Sequence, residues 1–123
     1  MRLDHIQLAM PTGEVESARS FFGGILNMTE DAKPYPLNER GGVWFRSADT
    51  IVHIGVEQNF VPQRKAHPAF LVGNLDALAS ALSDSGFPVK WDDALPERRR
   101  FYSEDPFGNR LEFIHDGHGF TQI

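Results

Sequence analysis

Apolar residues run along this chain in two rhythms. Four segments alternate with a period of two, the mark of a strand with one buried face. In "LDHIQLAM" the apolar face is Ile6, Leu8 and Met10, against His5, Gln7 and Ala9. In "TIVHIGVE" it is Val52, Ile54 and Val56, with Ile51, His53, Gly55 and Glu57 opposite. In "HPAFLVG", Phe70 and Val72 oppose His67, Ala69 and Leu71. In "NRLEFIH", Leu111 and Phe113 oppose Arg110, Glu112 and Ile114. Two further segments carry a helical stripe instead. Residues 12–26 place Val15, Ala18, Phe21, Phe22, Ile25 and Leu26 on it, with Thr12 or Gly13 as the cap. Residues 74–86 place Leu75, Leu78, Ala79 and Leu82 on it, with Asn74 as the cap and Gly86 as the stop.

The two halves share one plan. Since 67 − 5 = 62, a shift of 62 positions lays His67 on His5, Phe70 on Leu8, Val72 on Met10, Asp76 on Glu14 and Gly86 on Gly24. Shorter strands follow each helix: "VWFRS" and "TIVHIGVE" in the first half, "FPVKW", "RRFYSE" and "NRLEFIH" in the second. The Gly41-Gly42 pair and "DPFGN" from Asp105 are turn signals, and Pro34 and Pro36 argue against regular structure over residues 33–40. The pattern predicts an α+β fold in one domain of 123 residues. Two β-α-β-β-β modules, residues 1–57 and 67–116, are joined by a linker at 58–66 and followed by a short tail.

Composition narrows the function. The chain is 41% hydrophobic and 24% charged, which suits a soluble globular protein. No stretch approaches the ~18 successive apolar residues of a membrane helix. "MRLDHIQLAM" is too short and too charged for a secretory signal. A net charge of −5 gives no footprint for nucleic acid or an acidic membrane, and the basic run Arg98, Arg99 and Arg100 reads as a solvated loop or strand end. The absence of cysteine excludes disulfides and thiol catalysis and fits a cytoplasmic location. Any metal site must then be built from His, Asp and Glu. The mixed strand faces carry four such groups, His5, His53, His67 and Glu112, expected to converge on a shared concave surface.

From "LDHIQLAM" through "AHPAFLV" to "DPFGNRLEF", the chain resembles the vicinal-oxygen-chelate superfamily. This family includes glyoxalase I, fosfomycin-resistance thioltransferases, extradiol dioxygenases and bleomycin-resistance proteins. The resemblance implies a curved, barrel-like mixed sheet around a divalent metal, with the helices outside. It implies His5, His67 and Glu112 as metal ligands. The remaining ligand position is Glu in typical glyoxalase I and is matched here by His53. Glu57, four residues on, is an alternative ligand or a general base, and a labile Glu112 is the other candidate for moving a proton.

An imidazole and carboxylate donor set suits Fe, Mn, Ni, Co or Zn and leaves metal positions open for a small oxygenated substrate. Lewis-acid chemistry of lyase, isomerase or transferase type follows, or dioxygenase chemistry with Fe. Trp44 and Phe45 are adjacent on one strand, so one of them lines the concavity. Lys90, Arg100 and Tyr102 fall where related thioltransferases hold a phosphonate, with solvated edge charges and a packing tyrosine as the competing reading. Family members commonly pair, so a homodimer is expected. The alternative function is a metal-free, bleomycin-resistance-type protein that sequesters an antibiotic or aromatic molecule between Trp44, Phe45, Phe60 and Trp91.

Overall fold

The computed structural model describes residues 1–117. The chain divides into two compact units, the first ending at Pro62 and the second beginning at Gln63. In the first, β1 (Ile6–Met10) leads to a short helix α1 (Val15–Ala18) that widens into a π-helical segment (Arg19–Ile25). Then come β2 (Thr29–Asp31), a 3₁₀ turn (Leu37–Glu39), β3 (Val43–Ser47) and β4 (Thr50–Val56). The second contains β5 (Ala69–Val72), α2 (Leu75–Asp84), β6 (Lys90–Trp91), β7 (Arg100–Glu104) and β8 (Arg110–His115).

Each unit forms an open four-stranded sheet, in the orders β1-β4-β3-β2 and β5-β8-β7-β6. The α+β class and the doubled β-α-β-β-β plan are as the sequence predicts, while the hydrogen bonding makes two separate mixed sheets that do not close into a barrel. In each, the first strand pairs in parallel with the last, because a helical crossover separates it from the remaining strands. The parallel pairs end alike. The Glu57 amide donates to the Met10 carbonyl at 3.0 Å and the Asp116 amide to that of Val72 at 2.9 Å.

The apolar strand faces form the two cores. Phe22 stacks on Phe45 at 5.6 Å in the first unit, over buried Val52 and Ile54. Phe101 and Phe113 lie 5.4 Å apart in the second, with Leu75, Leu82 and Leu111 buried around them. Asn74 caps α2 as expected, its Oδ1 accepting from the Ala77 amide at 3.1 Å. Gly86, at φ +87°, stops it.

The first helix differs from the expectation. It starts at Val15 with Glu14, not Thr12 or Gly13, at the cap position and no side-chain hydrogen bond there. It then widens, with the Leu26 amide donating five residues back to the Phe21 carbonyl at 2.9 Å. The wider winding turns less per residue, which keeps the successive rings of Phe21 and Phe22 both buried.

The "DPFGN" segment is a structural turn. The Asp105 carboxylate accepts from the amides of Phe107 and Asn109 at 2.9 and 3.0 Å and from the Asn109 side chain at 2.8 Å. Burial pushes the Asp105 carboxyl up, against these hydrogen bonds. The turn fixes the start of β8, and therefore where Glu112 emerges.

Candidate functional site

Both sheets bring the same three positions together. In the first, His53 on β4 lies opposite Gln7 of β1 and Trp44 of β3. His5 precedes Gln7 by two residues and shares its face. In the second, Glu112 on β8 lies opposite Ala69 of β5 and Tyr102 of β7. His67 precedes Ala69 by two residues.

In the first unit the three side chains stack. The rings of Trp44 and His53 are 3.9 Å apart with planes 3° from parallel, and His5 lies 4.2 Å beyond His53 at 27°. His5 donates from Nδ1 to the Asp4 carboxylate at 2.7 Å. Burial, and then the charge of His5, lower the His53 pKa, so this imidazole is held neutral. His5, His53 and Trp44 line a cavity of about 610 Å³ with Asp4, Lys33 and Arg46 also on its walls.

In the second unit the three side chains join a charge network. Nδ1 of His67 lies 2.9 Å from the Lys65 carbonyl. A carbonyl oxygen only accepts, so Nδ1 carries the proton. Nε2 then faces Glu112 Oε1 at 2.9 Å. The other carboxylate oxygen accepts from Arg100 Nη1 at 3.0 Å. Arg100 also donates to Tyr102 Oη at 2.9 Å and pairs with Asp92 at 3.1 Å. Arg100 and Glu112 are each only 8% exposed, so this pairing is what makes their burial tolerable.

Beside this network, Arg64, Lys90, Tyr102 and Arg110 line a second cavity of about 280 Å³. The Arg110 guanidinium lies 4.0 Å over the Tyr102 ring. The Tyr102 oxygen already accepts from Arg100, so its O–H is left to donate.

Residues 2–113 match the family model of the Glyoxalase/Bleomycin resistance protein/Dioxygenase superfamily. The chain belongs to this superfamily. Among solved structures, a protein assigned to the glyoxalase family from Bacillus anthracis shares 46% identity with a TM-score of 0.90, over 95% of this chain and 96% of that one. A glyoxalase/dioxygenase from Nostoc punctiforme shares 20% identity with a TM-score of 0.76, over 94% and 91% of the two chains. Fosfomycin resistance protein FosX from Listeria monocytogenes shares 19% identity with a TM-score of 0.72, over 95% and 92%. These last two likenesses concern the fold. No curated protein matches the chain closely enough to lend it an activity. Among the described residues no helix is long and apolar enough to cross a membrane.

The donors of this glyoxalase-superfamily chain come in pairs, His5 with His53 and His67 with Glu112, and among the described residues no three such groups are gathered into ligand geometry. The second pair fits a metal ion. His67 Nε2 faces a carboxylate oxygen at 2.9 Å, a contact that needs a cation or a proton between them. Two donors about 2.1 Å from one ion and at right angles lie about 3 Å apart, which is the separation observed. His5 and His67 both have Nδ1 tied to an acceptor, the usual way a ligating imidazole is oriented through its other nitrogen.

Other expected site residues fall elsewhere. Phe45 is a core residue packed on Phe22, so Trp44 is the one that lines a cavity: strand alternation sends neighbours to opposite faces. Arg100 is turned inward onto Glu112 and Asp92 and is not a solvated edge charge. Glu57 is exposed just past the end of β4 and does not line the cavity that holds His5 and His53. Trp91 is 46% exposed, with the Arg99 guanidinium over its ring at 4.7 Å. Sequence reasoning missed Arg64 and Asp92. It placed Arg110 on the Glu112 face of β8 without using it, and that alternation was the signal available.

Proposed function

We propose that this chain is a metal-dependent enzyme of the glyoxalase superfamily acting on a small, anionic, oxygenated substrate. A divalent ion is held by His67 Nε2 and Glu112 Oε1 of the second unit. The observation that supports the metal is the 2.9 Å approach of His67 Nε2 to a carboxylate oxygen, with Nδ1 already held by the Lys65 carbonyl. Such an ion, when bound, supplies Lewis-acid stabilisation of charge on substrate oxygens, or dioxygen chemistry if it is iron.

The chain's own groups do the rest. Arg100 occupies Glu112 Oε2 and leaves Oε1 as the single donor oxygen. Tyr102 donates its hydroxyl proton toward the substrate, and Lys90, Arg64 and Arg110 offer positive charge along the same wall. Glu112, when it lets go of the ion, is the carboxylate that moves a proton, ahead of the exposed Glu57. β1 and β5 each end their sheet with an unpaired edge, which supports association as a homodimer.

Elemental analysis of the purified protein tests the reading, beside a His67→Ala, Glu112→Ala double variant. Near-stoichiometric metal in the wild type, lost in the double variant, is the expected result. The reading fails if the folded wild type holds no metal and takes up none of Fe, Mn, Ni, Co or Zn. Sequestration of an aromatic ligand at the Trp44 cavity then becomes the better account.

A further inference from the structure

We propose that the cavity of the first unit binds a neutral, planar ligand with a lactam-type edge, an N–H beside a C=O. The Gln7 carboxamide is the group that recognises this edge. The inference is independent of the metal reading above and uses side chains of the first unit alone. The cavity, about 610 Å³, has room for a two-ring heterocycle. One wall is aromatic, made by the rings of Trp44, His53 and His5. A flat ligand lies against such a wall by stacking.

The charges are already answered. Arg46 is paired with Asp31 at 3.0 Å and His5 with Asp4 at 2.7 Å. The Lys33 ammonium donates to the carbonyls of Arg40 and Gly41 at 2.7 and 2.9 Å. Among the described residues, the exposed Arg40 is the one charged side chain on this cavity without such a partner. The cavity of the second unit is the reverse, with Arg64, Lys90 and Arg110 set against Glu104 alone. An anion suits the second cavity and an uncharged ligand the first.

Gln7 supplies the polar contact. It stands opposite His53 in register, and among the described residues its carboxamide has no hydrogen-bond partner. Gly55 follows His53 by two residues on the same face of β4. A Cβ at Gly55 would collide with Gln7 Nε2, so the carboxamide lies in the space a side chain would fill. Gly55 is inside a strand and not at positive φ. Its backbone therefore does not require glycine, and the room above it does. A carboxamide offers an acceptor and a donor side by side, the complement of a lactam, so two parallel hydrogen bonds fix the ligand in one orientation.

The probe is 2-quinolone, a two-ring lactam. N-methyl-2-quinolone, which lacks the donor, and 2-naphthoate, an anion of similar size, are its controls. Backbone amide shifts of isotope-labelled protein report where each one binds. In the wild type, 2-quinolone is expected to shift the amides of residues 51–55 saturably. It should bind about tenfold more tightly than the N-methyl compound, the worth of one hydrogen bond. In Gln7→Leu that preference is expected to vanish. Gly55→Ala fills the space beneath the carboxamide and should also abolish the preference. Its unfolding midpoint should stay level or rise, because alanine fits the strand and narrows the unfolded ensemble. A purely structural glycine would instead lower the midpoint and leave the preference intact.

Equal binding of the two quinolones by the wild type, or an intact preference in Gln7→Leu, overturns the role of Gln7. Stronger binding of 2-naphthoate, shifts confined to residues 102–110, or no binding of 2-quinolone at all overturns the site. None of these outcomes depends on metal, so a protein that takes up no metal leaves the test unchanged.

Discussion

The two units place their key side chains on one backbone frame and fill it with different chemistry. At the position facing both neighbouring strands, the first unit has His53 and the second Glu112. Across from it stand Trp44 in one and Tyr102 in the other, and the histidine before the first strand is common to both. The set in the first unit has no carboxylate at its centre and stacks ring on ring. The charged set in the second cannot be buried alone, so it recruits Arg100 and Asp92. A shared frame therefore fixes where side chains meet but not how they interact, which depends on whether the central group carries a charge.

That contrast is breakable by experiment, most sharply at the two central positions. Glu112→Ala takes from the buried Arg100 one of its two carboxylate partners, leaving Asp92 and the neutral Tyr102 hydroxyl, and is expected to cost about 3 kcal/mol in urea unfolding. His53→Ala strands no charge and should cost about 1 kcal/mol, the worth of an aromatic contact. Equal losses would mean that the Arg100–Glu112 pair is not the charge-bearing core described here.

The helices extend the comparison at smaller scale. Asn74→Ala removes the cap of α2 and is expected to lower stability by about 1 kcal/mol. Thr12→Ala, before the uncapped α1, should stay within about 0.5 kcal/mol of wild type. Matching losses at the two sites would show that the first helix has a cap after all.

The smallest effect is a pH dependence. Burial lowers the His53 pKa, so the folded protein resists protonating this ring more than the unfolded chain does. The contribution is fully present above about pH 6.5, the unperturbed histidine value, and is lost as pH falls through the lower folded one. Stability curves for wild type and His53→Phe should therefore diverge on acidification below about pH 6.5, wild type losing more. Curves that remain parallel would show that His53 is as free to protonate in the fold as out of it.

Much of the fold was legible because it rests on local rules. Alternation located β1, β4, β5 and β8, the shorter apolar runs after each helix marked β3 and β7, and Asn74 and Gly86 marked the ends of α2. Other elements had no local signal. β2 is the polar triplet Thr29–Asp31, made a strand only by pairing with β3 and by the Arg46–Asp31 ion pair at 3.0 Å. In "FPVKW" only Lys90–Trp91 pairs as β6. The widening of α1 comes from burying two adjacent phenylalanines against a sheet, a demand that exists only once the sheet is there.

The candidate site divides the same way. Strand parity alone put His5, His53, His67 and Glu112 on the mixed faces. It could not see that Glu112 is the counterpart of His53, because 67 − 5 = 62 but 112 − 53 = 59: three residues of loop length separate the two repeats by the last strand. Pairing register restores the equivalence.

By itself, then, the sequence determined the doubled plan, the apolar faces and the donor residues, since these follow from periodicity and residue chemistry along a few neighbouring positions. Tertiary structure decided that Trp44 and not Phe45 lines a cavity, that Arg100 turns inward, and that His53 lies between two rings. Each of those depends on which strand lies alongside and on which charge must be neutralised away from water, and neither is written in the order of residues along one strand.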